Sequence, residues 1–211
     1  MKGSLIIISS PSGGGKGTLI KEILQNVPNV GYSVSYTTRE MRQGETDGRD
    51  YFFINVEEFN ELIAKGEFLE FAEVHGNFYG TSLNQVLAET NLGRDVILEI
   101  DVQGAKSVRR KIPEAVSIFI LPPSFEVLRR RLVARQTEKR EELEIRLQNS
   151  FGEVKHFTKF EYIVINDEVS GAAKNLEAII LAERQRRFRQ ADLVQVILDS
   201  FDASKSDVLG E

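Results

Sequence analysis

Four nearly continuous apolar runs, at residues 5–8, 96–100, 116–121 and 162–165, are separated by stretches in which apolar residues recur at helical spacing. Leu19, Ile20, Ile23 and Leu24 follow the first run in this way. Runs that stay apolar on successive residues predict strands buried on both faces, and helical patterns between them predict crossovers, so the chain reads as an α/β protein with a parallel sheet. Between the first two runs the texture changes. Residues 33–36, 51–54 and 68–74 have aromatic or β-branched strand character, 56–64 has a helical pattern, and Gly44, Gly48 and Gly76 mark turns. That segment predicts an inserted, mixed α/β lobe. Residues 125–146 are helical in pattern and dense in arginine and glutamate, with Gln136 and Thr137 as the expected break, and predict a charged flap. Residues 168–189 predict a packing helix through Leu176, Ile179 and Ile180, and the polar end from Asp202 is expected to fray. The organisation read from these patterns is a core at 1–32 and 94–211, with a helical lid at about 126–148, and an inserted lobe at 33–93.

Composition narrows the setting. At 211 residues the chain holds one full core plus insertions. Its net charge of −5 creates no global field toward nucleic acid or an anionic membrane, so neither is an expected partner and positive charge must act locally. The absence of cysteine rules out disulfides and thiol catalysis and suits a reducing compartment. With no cleavable leader pattern and no apolar run of membrane-spanning length, cytoplasmic residence is the expectation. His75 and His156 lack the spacing of a metal site.

The candidate chemistry begins directly after the first run, at Ser9-Ser10-Pro11-Ser12-Gly13-Gly14-Gly15-Lys16-Gly17-Thr18. Glycines permit left-handed conformations that turn successive N–H groups inward around an anion, and the following helix aims its positive end at the same point. Lys16 adds a mobile charge able to follow a phosphoryl group. A glycine-rich surface turn is the plain alternative, and the placement between strand and amphipathic helix argues against it. Compared with G-x-x-x-x-G-K-[ST], Ser10 replaces the first glycine, Gly17 stands where the metal-binding hydroxyl follows the lysine, and Thr18 comes one residue late.

Further motifs follow in order: Ser33-Val34-Ser35-Tyr36-Thr37-Thr38-Arg39-Glu40-Met41-Arg42, Gly48-Arg49-Asp50-Tyr51, Glu67-Phe68-Leu69-Glu70, Gly76-Asn77-Phe78-Tyr79-Gly80-Thr81, Glu99-Ile100-Asp101-Val102-Gln103-Gly104, Arg131, Arg135, Arg146-Leu147 and Asn166-Asp167. Together they resemble guanylate kinases over almost the whole chain. The resemblance implies a P-loop core with a GMP-binding lobe and a helical lid. Arg39, Arg42, Tyr51 and Tyr79 then suit a clamp for a monophosphate dianion, because guanidinium pairs and phenols supply convergent donors. Glu70 takes the place of the family's base-reading glutamate, where one carboxylate accepts from both guanine N1–H and N2–H. Ser35, Thr81 and Glu99 form the rest of that wall. Asp101, also expected in the GMP site, is the candidate to organise Mg²⁺, directly or through water, with Thr18 as a weaker second ligand. Arg131, Arg135 and Arg146 resemble the arginines directed at the transferring phosphates, and Asn166 resembles a contact to the donor adenine. Singly, these residues also fit a solvated arginine face, core aromatics or the outward side of a strand; their order argues for the site.

The implied activity is Mg²⁺-dependent transfer of the ATP γ-phosphoryl group to GMP, with dGMP as a second acceptor, giving ADP and GDP. The acceptor phosphate is itself the nucleophile, so no strong general base is required. One rival is a guanylate-kinase-like module that binds a partner without catalysis, against which stand Lys16, the glycine loop and the flap arginines. Another is a kinase of a different phosphorylated acceptor, against which stand Glu70, Ser35 and Thr81. Monomer and homodimer are both compatible with the sequence.

Overall fold

The long apolar runs fold into one five-stranded sheet. The computed structural model describes residues 2–74, 76–134 and 140–209. Central β1 (Leu5–Ser9) lies between β7 (Asp95–Glu99) and β8 (Val116–Leu121), with β2 (Val30–Tyr32) beyond β7 and β9 (Tyr162–Ile165) beyond β8. Every pairing is parallel, so each connection crosses a face of the sheet. Side chains alternate between those faces. Ile6 and Ile8 pack with Leu19 and Ile23 of α1 (Lys16–Asn26) and Leu176 and Ile180 of α7 (Val169–Arg184). Leu5 and Ile7 pack with Val86 of α3 (Leu83–Asn91) and Val108 of α4 (Val102–Lys111). Burial on both faces is the reason β1, β7 and β8 read as unbroken apolar runs, whereas β9, at the sheet edge, buries Val164 and leaves Ile163 and Ile165 exposed. Strand β2 does not read as such a run: it is three residues long, contains Gly31, sits at the sheet edge and is only half-buried.

A second, four-stranded sheet is ordered β4 (Phe52–Phe53), β3 (Tyr36–Thr37), β6 (Asn77–Ser82), β5 (Phe68–Val74). The β3/β4 pair is parallel and the β3/β6 and β5/β6 pairs are antiparallel, which gives the mixed lobe its texture. Aromatic rings form its core: Phe59 of α2 (Val56–Ala64) lies 4.7 Å from Phe68 and 5.5 Å from Phe78, and Tyr36 stacks on Phe52 at 4.8 Å. A capping box between Asn55 and Glu58 starts α2. The expected strand at 33–36 contributes only its last residue to β3. Ser33 instead donates its N–H to Ile97 of the first sheet, and Ser35 accepts from Phe52 of the second, so this segment passes between the sheets.

The flap region contains α5 (Phe125–Ala134) and α6 (Arg140–Glu153). The break expected at Gln136 and Thr137 lies outside the described residues. After α7 and a short 3-10 turn at Arg187–Arg189, α8 (Ala191–Leu209) corrects the expectation of a frayed end. Once a helix has started, each further residue adds a hydrogen bond, and side chains add Gln195 to Asp199 and Ser204 to the Ser200 carbonyl.

Candidate active site

Residues following β1 and β7, with residues of β5 and β6, line an open cleft of ≈ 820 Å³. This is where open parallel sheets place ligands, beyond the carboxyl ends of the strands. The glycine loop, residues 10–17, forms one end. Gly14 N–H donates to the Pro11 carbonyl at 2.9 Å, closing the turn. Gly15, with φ 90°, occupies a conformation that side chains rarely adopt, and a Cβ there would approach Asn166 Nδ2 to 2.3 Å. Asn166 Nδ2 donates to the Gly14 carbonyl at 3.0 Å, so the end of β9 holds the loop from behind. Lys16 opens α1 and lines the cleft, its ammonium without a hydrogen bond or ion pair among the described residues.

Arg131 on α5 donates from Nη2 to the Asn166 carbonyl at 2.9 Å, while its Nη1 is buried with no partner among the described residues. Arg146 on α6 donates from Nε to Ser12 Oγ at 2.7 Å, and the Ser12 N–H donates to Glu153 Oε2 at 2.8 Å.

The other end of the cleft is built on a β-bulge. The register pairs Phe68 with Ser82 and then Glu70 with Thr81, so Leu69 is the extra residue on β5. A regular register would set Glu70 opposite Gly80. The bulge sets it opposite Thr81, whose Oγ1 donates to Glu70 Oε1 at 2.5 Å. Glu70 is 4% exposed, and burial, with the charge of Asp101 adding to it, pushes its carboxyl up to about 7 against the lowering effects of Thr81 and Lys111. Its other oxygen rests on the first turn of α4, where a Cβ on Gly104 would meet it at 2.5 Å.

Arg39 is held bidentately by Glu45, with Nη2 2.8 and 3.0 Å from the two oxygens, and its guanidinium lies 5.4 Å from the Tyr51 ring centre. Burial lowers the Arg39 pKa, but the hydrogen bond and charge of Glu45 outweigh it and the net direction is up. Burial, and then the charge of Glu99, raise the pKa of Tyr51. Glu99 accepts from Tyr32 Oη at 3.4 Å. Ser35, Arg42, Tyr79 and Asp101 line the same cleft.

Of the residues proposed from sequence, Ser12, Gly13, Gly14, Gly15, Lys16, Gly17 and Arg146 meet at the loop, in the same cleft as the group around Glu70 and Arg39. Thr81 is buried behind Glu70, and Asn166 and Arg131 lie behind the loop instead of on the cleft lining. Thr18 is exposed on α1 and off the lining. Arg135 lies outside the described residues. Sequence reasoning did not assign Glu45 or Glu153 a role. Glu45 lies three residues beyond Arg42, a local signal that could have found it, whereas Glu153 is 141 residues from its partner Ser12.

Among the described residues no group of three or more carboxylate, histidine or cysteine side chains converges as a metal cage. Asp101 Oδ1 caps α4 by accepting from Gly104 N–H at 2.9 Å. A single carboxylate beside a phosphate-binding loop fits Mg²⁺, which keeps several waters and takes its remaining ligands from phosphates.

The comparisons agree with this geometry. The guanylate kinase family model matches residues 2–183. The chain is 45% identical to the guanylate kinase of Geobacter metallireducens over 95% of this chain and 98% of that protein. It is 48% identical to the guanylate kinase of Aromatoleum aromaticum over 90% of this chain and 93% of that protein. The crystal structure of guanylate kinase from Anaplasma phagocytophilum superposes with a TM-score of 0.80 at 34% identity, covering 95% of this chain and 96% of that one. A cleft with a phosphate loop at one end and a buried carboxylate at the other, on a chain related over nearly its full length to these enzymes, belongs to a member of the guanylate kinase family.

Proposed function

We propose that the cleft transfers the γ-phosphoryl group of ATP to GMP, and to dGMP, giving ADP and GDP. The observation that carries this reading is that the phosphate loop with Lys16 and the buried carboxylate of Glu70 line one and the same cleft. Loop amides and Lys16 bind the donor phosphates, with Arg146 and Arg135 from the flap region and Arg131 from behind the loop. The unpartnered Nη1 of Arg131 supports this assignment, because a buried guanidinium donor without an acceptor is stabilised when an anion arrives. Asn166 holds the loop and stands near the donor nucleotide.

At the other end Arg39, Arg42, Tyr51 and Tyr79 clamp the acceptor phosphate. Glu70, steadied by Thr81 and flanked by Ser35 and Glu99, accepts from the two adjacent N–H donors of guanine. Adenine has no such pair. The chain divides functionally into a core at 1–32 and 94–211 with a lid at about 126–148, and an acceptor lobe at 33–93. Asp101 would hold Mg²⁺, directly or through water, with Thr18 a weaker candidate because it is exposed away from the cleft. Bound there with the polyphosphate, the ion would neutralise phosphate charge. The protein's own part is to align the two nucleotides in line and exclude water, which would otherwise compete as acceptor.

No helix among the described residues is long and apolar enough to cross a membrane, which is compatible with the proposed cytoplasmic residence. An ADP-release assay with GMP, dGMP, AMP, CMP and UMP as acceptors tests the reading. GMP and dGMP should support turnover and AMP should be a very poor acceptor; equal rates with AMP would overturn the assignment.

A further inference from the structure

Two side chains of α6 grip one residue of the phosphate loop. Arg146 Nε donates to the Ser12 hydroxyl at 2.7 Å, and Glu153 Oε2 accepts from the Ser12 N–H at 2.8 Å. They are seven residues apart, two helical turns on one face with a rise of about 10 Å. A single bond to Ser12 would leave the helix free to pivot; a bond to the side chain and another to the main chain fix both its rotation and its height over the loop.

The position of Glu153 is otherwise unfavourable. It is the last residue of α6, directly before a 3-10 turn at Val154–Lys159. It also lines the cleft that, on the reading above, receives polyphosphate, so its charge opposes the ligand. It has no task as a base, because the acceptor phosphate is already nucleophilic near neutral pH. What it supplies is placement of the helix that carries Arg146.

We infer that Glu153 is a positioning residue, whose carboxylate clamps the Ser12 amide so that α6 delivers Arg146 to the phosphate loop in one pose. The inference rests on the proposed role of the loop and Arg146 in binding the donor phosphates. Glu153→Ala should lower kcat by about ten- to a hundredfold while KM for GMP stays within about twofold. Glu153→Gln, whose amide oxygen still accepts from Ser12 N–H, should recover most of that loss. The double variant Glu153→Ala/Arg146→Ala should be no slower than Arg146→Ala alone.

A second readout needs no turnover. In nucleotide-free protein, amide exchange at Ser12, followed by NMR, should accelerate in Glu153→Ala and stay slow in Glu153→Gln. Multiplying effects in the double variant, unchanged Ser12 exchange, no recovery with Gln, or a GMP KM that rises as far as kcat falls would each overturn the inference. If wild-type protein failed to phosphorylate GMP, the functional reading would fall, and Ser12 exchange would still decide whether the clamp exists.

Discussion

The two ends of the cleft hold charge in opposite ways. At the phosphate loop Lys16 has no partner among the described residues and Arg131 Nη1 is buried unpaired, so positive donors are left wanting an anion. At the other end the groups already have partners: Arg39 is paired with Glu45, and Glu70 accepts a hydrogen bond from Thr81 beneath the surface. An unmatched end binds any polyphosphate strongly and discriminates little. A matched end gains only when the incoming group replaces or completes existing hydrogen bonds, and the penalty for an incorrect group is a buried polar atom left unpaired. Affinity for phosphate and selectivity for guanine are therefore separable.

The largest expected effect tests that separation from the phosphate side. Lys16→Ala should reduce kcat by roughly 10³-fold, about 4 kcal/mol of transition-state stabilisation, and leave GMP affinity by calorimetry nearly unchanged. A parallel loss of GMP affinity would show that the two ends act as one.

The next effect lies in the nucleotide-free protein and comes from the matched end. Glu70 has a carboxyl raised from 4.5 to about 7, chiefly by burial. Folding therefore favours its protonated form: this stabilisation is fully present below pH 4.5 and is lost as pH rises through 7. The gap corresponds to about 3 kcal/mol above pH 7. Urea unfolding from pH 4 to 8 should show wild type losing stability relative to Glu70→Gln by that order. Parallel stability curves would mean that Glu70 is not desolvated.

How much of this was legible in sequence follows the same division. The phosphate loop announces itself because a local conformational demand at Gly15 falls between a fully buried strand and an amphipathic helix, all within one contiguous segment. Strands β1, β7 and β8 were legible because burial on both faces leaves no alternation to misread, and the edge strand β9 because its apolar residues continue onto its exposed face. Glu70 became legible only through the order of the motifs around it, since Phe-Leu-Glu carries no sign of a bulge at Leu69. Strand β2, three residues around Gly31, was too short to register, and the Ser12 contact of Glu153 depends on a fold that brings distant segments together.

A smaller effect separates the two ends by specificity. Glu70→Gln keeps the size of the side chain but turns one acceptor into a donor, and should cost GMP about 1–3 kcal/mol in kcat/KM. The ratio of GMP to AMP activity should narrow, while KM for ATP should not move. An unchanged ratio would remove Glu70 as the guanine reader and direct attention to Glu99.

The smallest expected effect is also the most local. Gly104 lies in the first turn of α4, where a Cβ would sit 2.5 Å from Glu70 Oε2 and 3.1 Å from its carboxyl carbon. In an isolated helix, replacing glycine by alanine stabilises by up to about 1 kcal/mol, so Gly104→Ala has no intrinsic reason to unfold the protein. The added methyl must instead displace the carboxylate or shift the turn beneath it. Either movement disturbs the geometry that lets one carboxylate accept two adjacent N–H groups, and a misfit of this kind costs on the order of 1 kcal/mol. GMP affinity should fall about fivefold, with ATP affinity and melting temperature nearly unchanged. Equal weakening of both nucleotides would mean that the effect travels through the core. Unchanged GMP affinity would mean that Glu70 is placed by Thr81 and the bulge alone, and that its contact with α4 has no part in recognition.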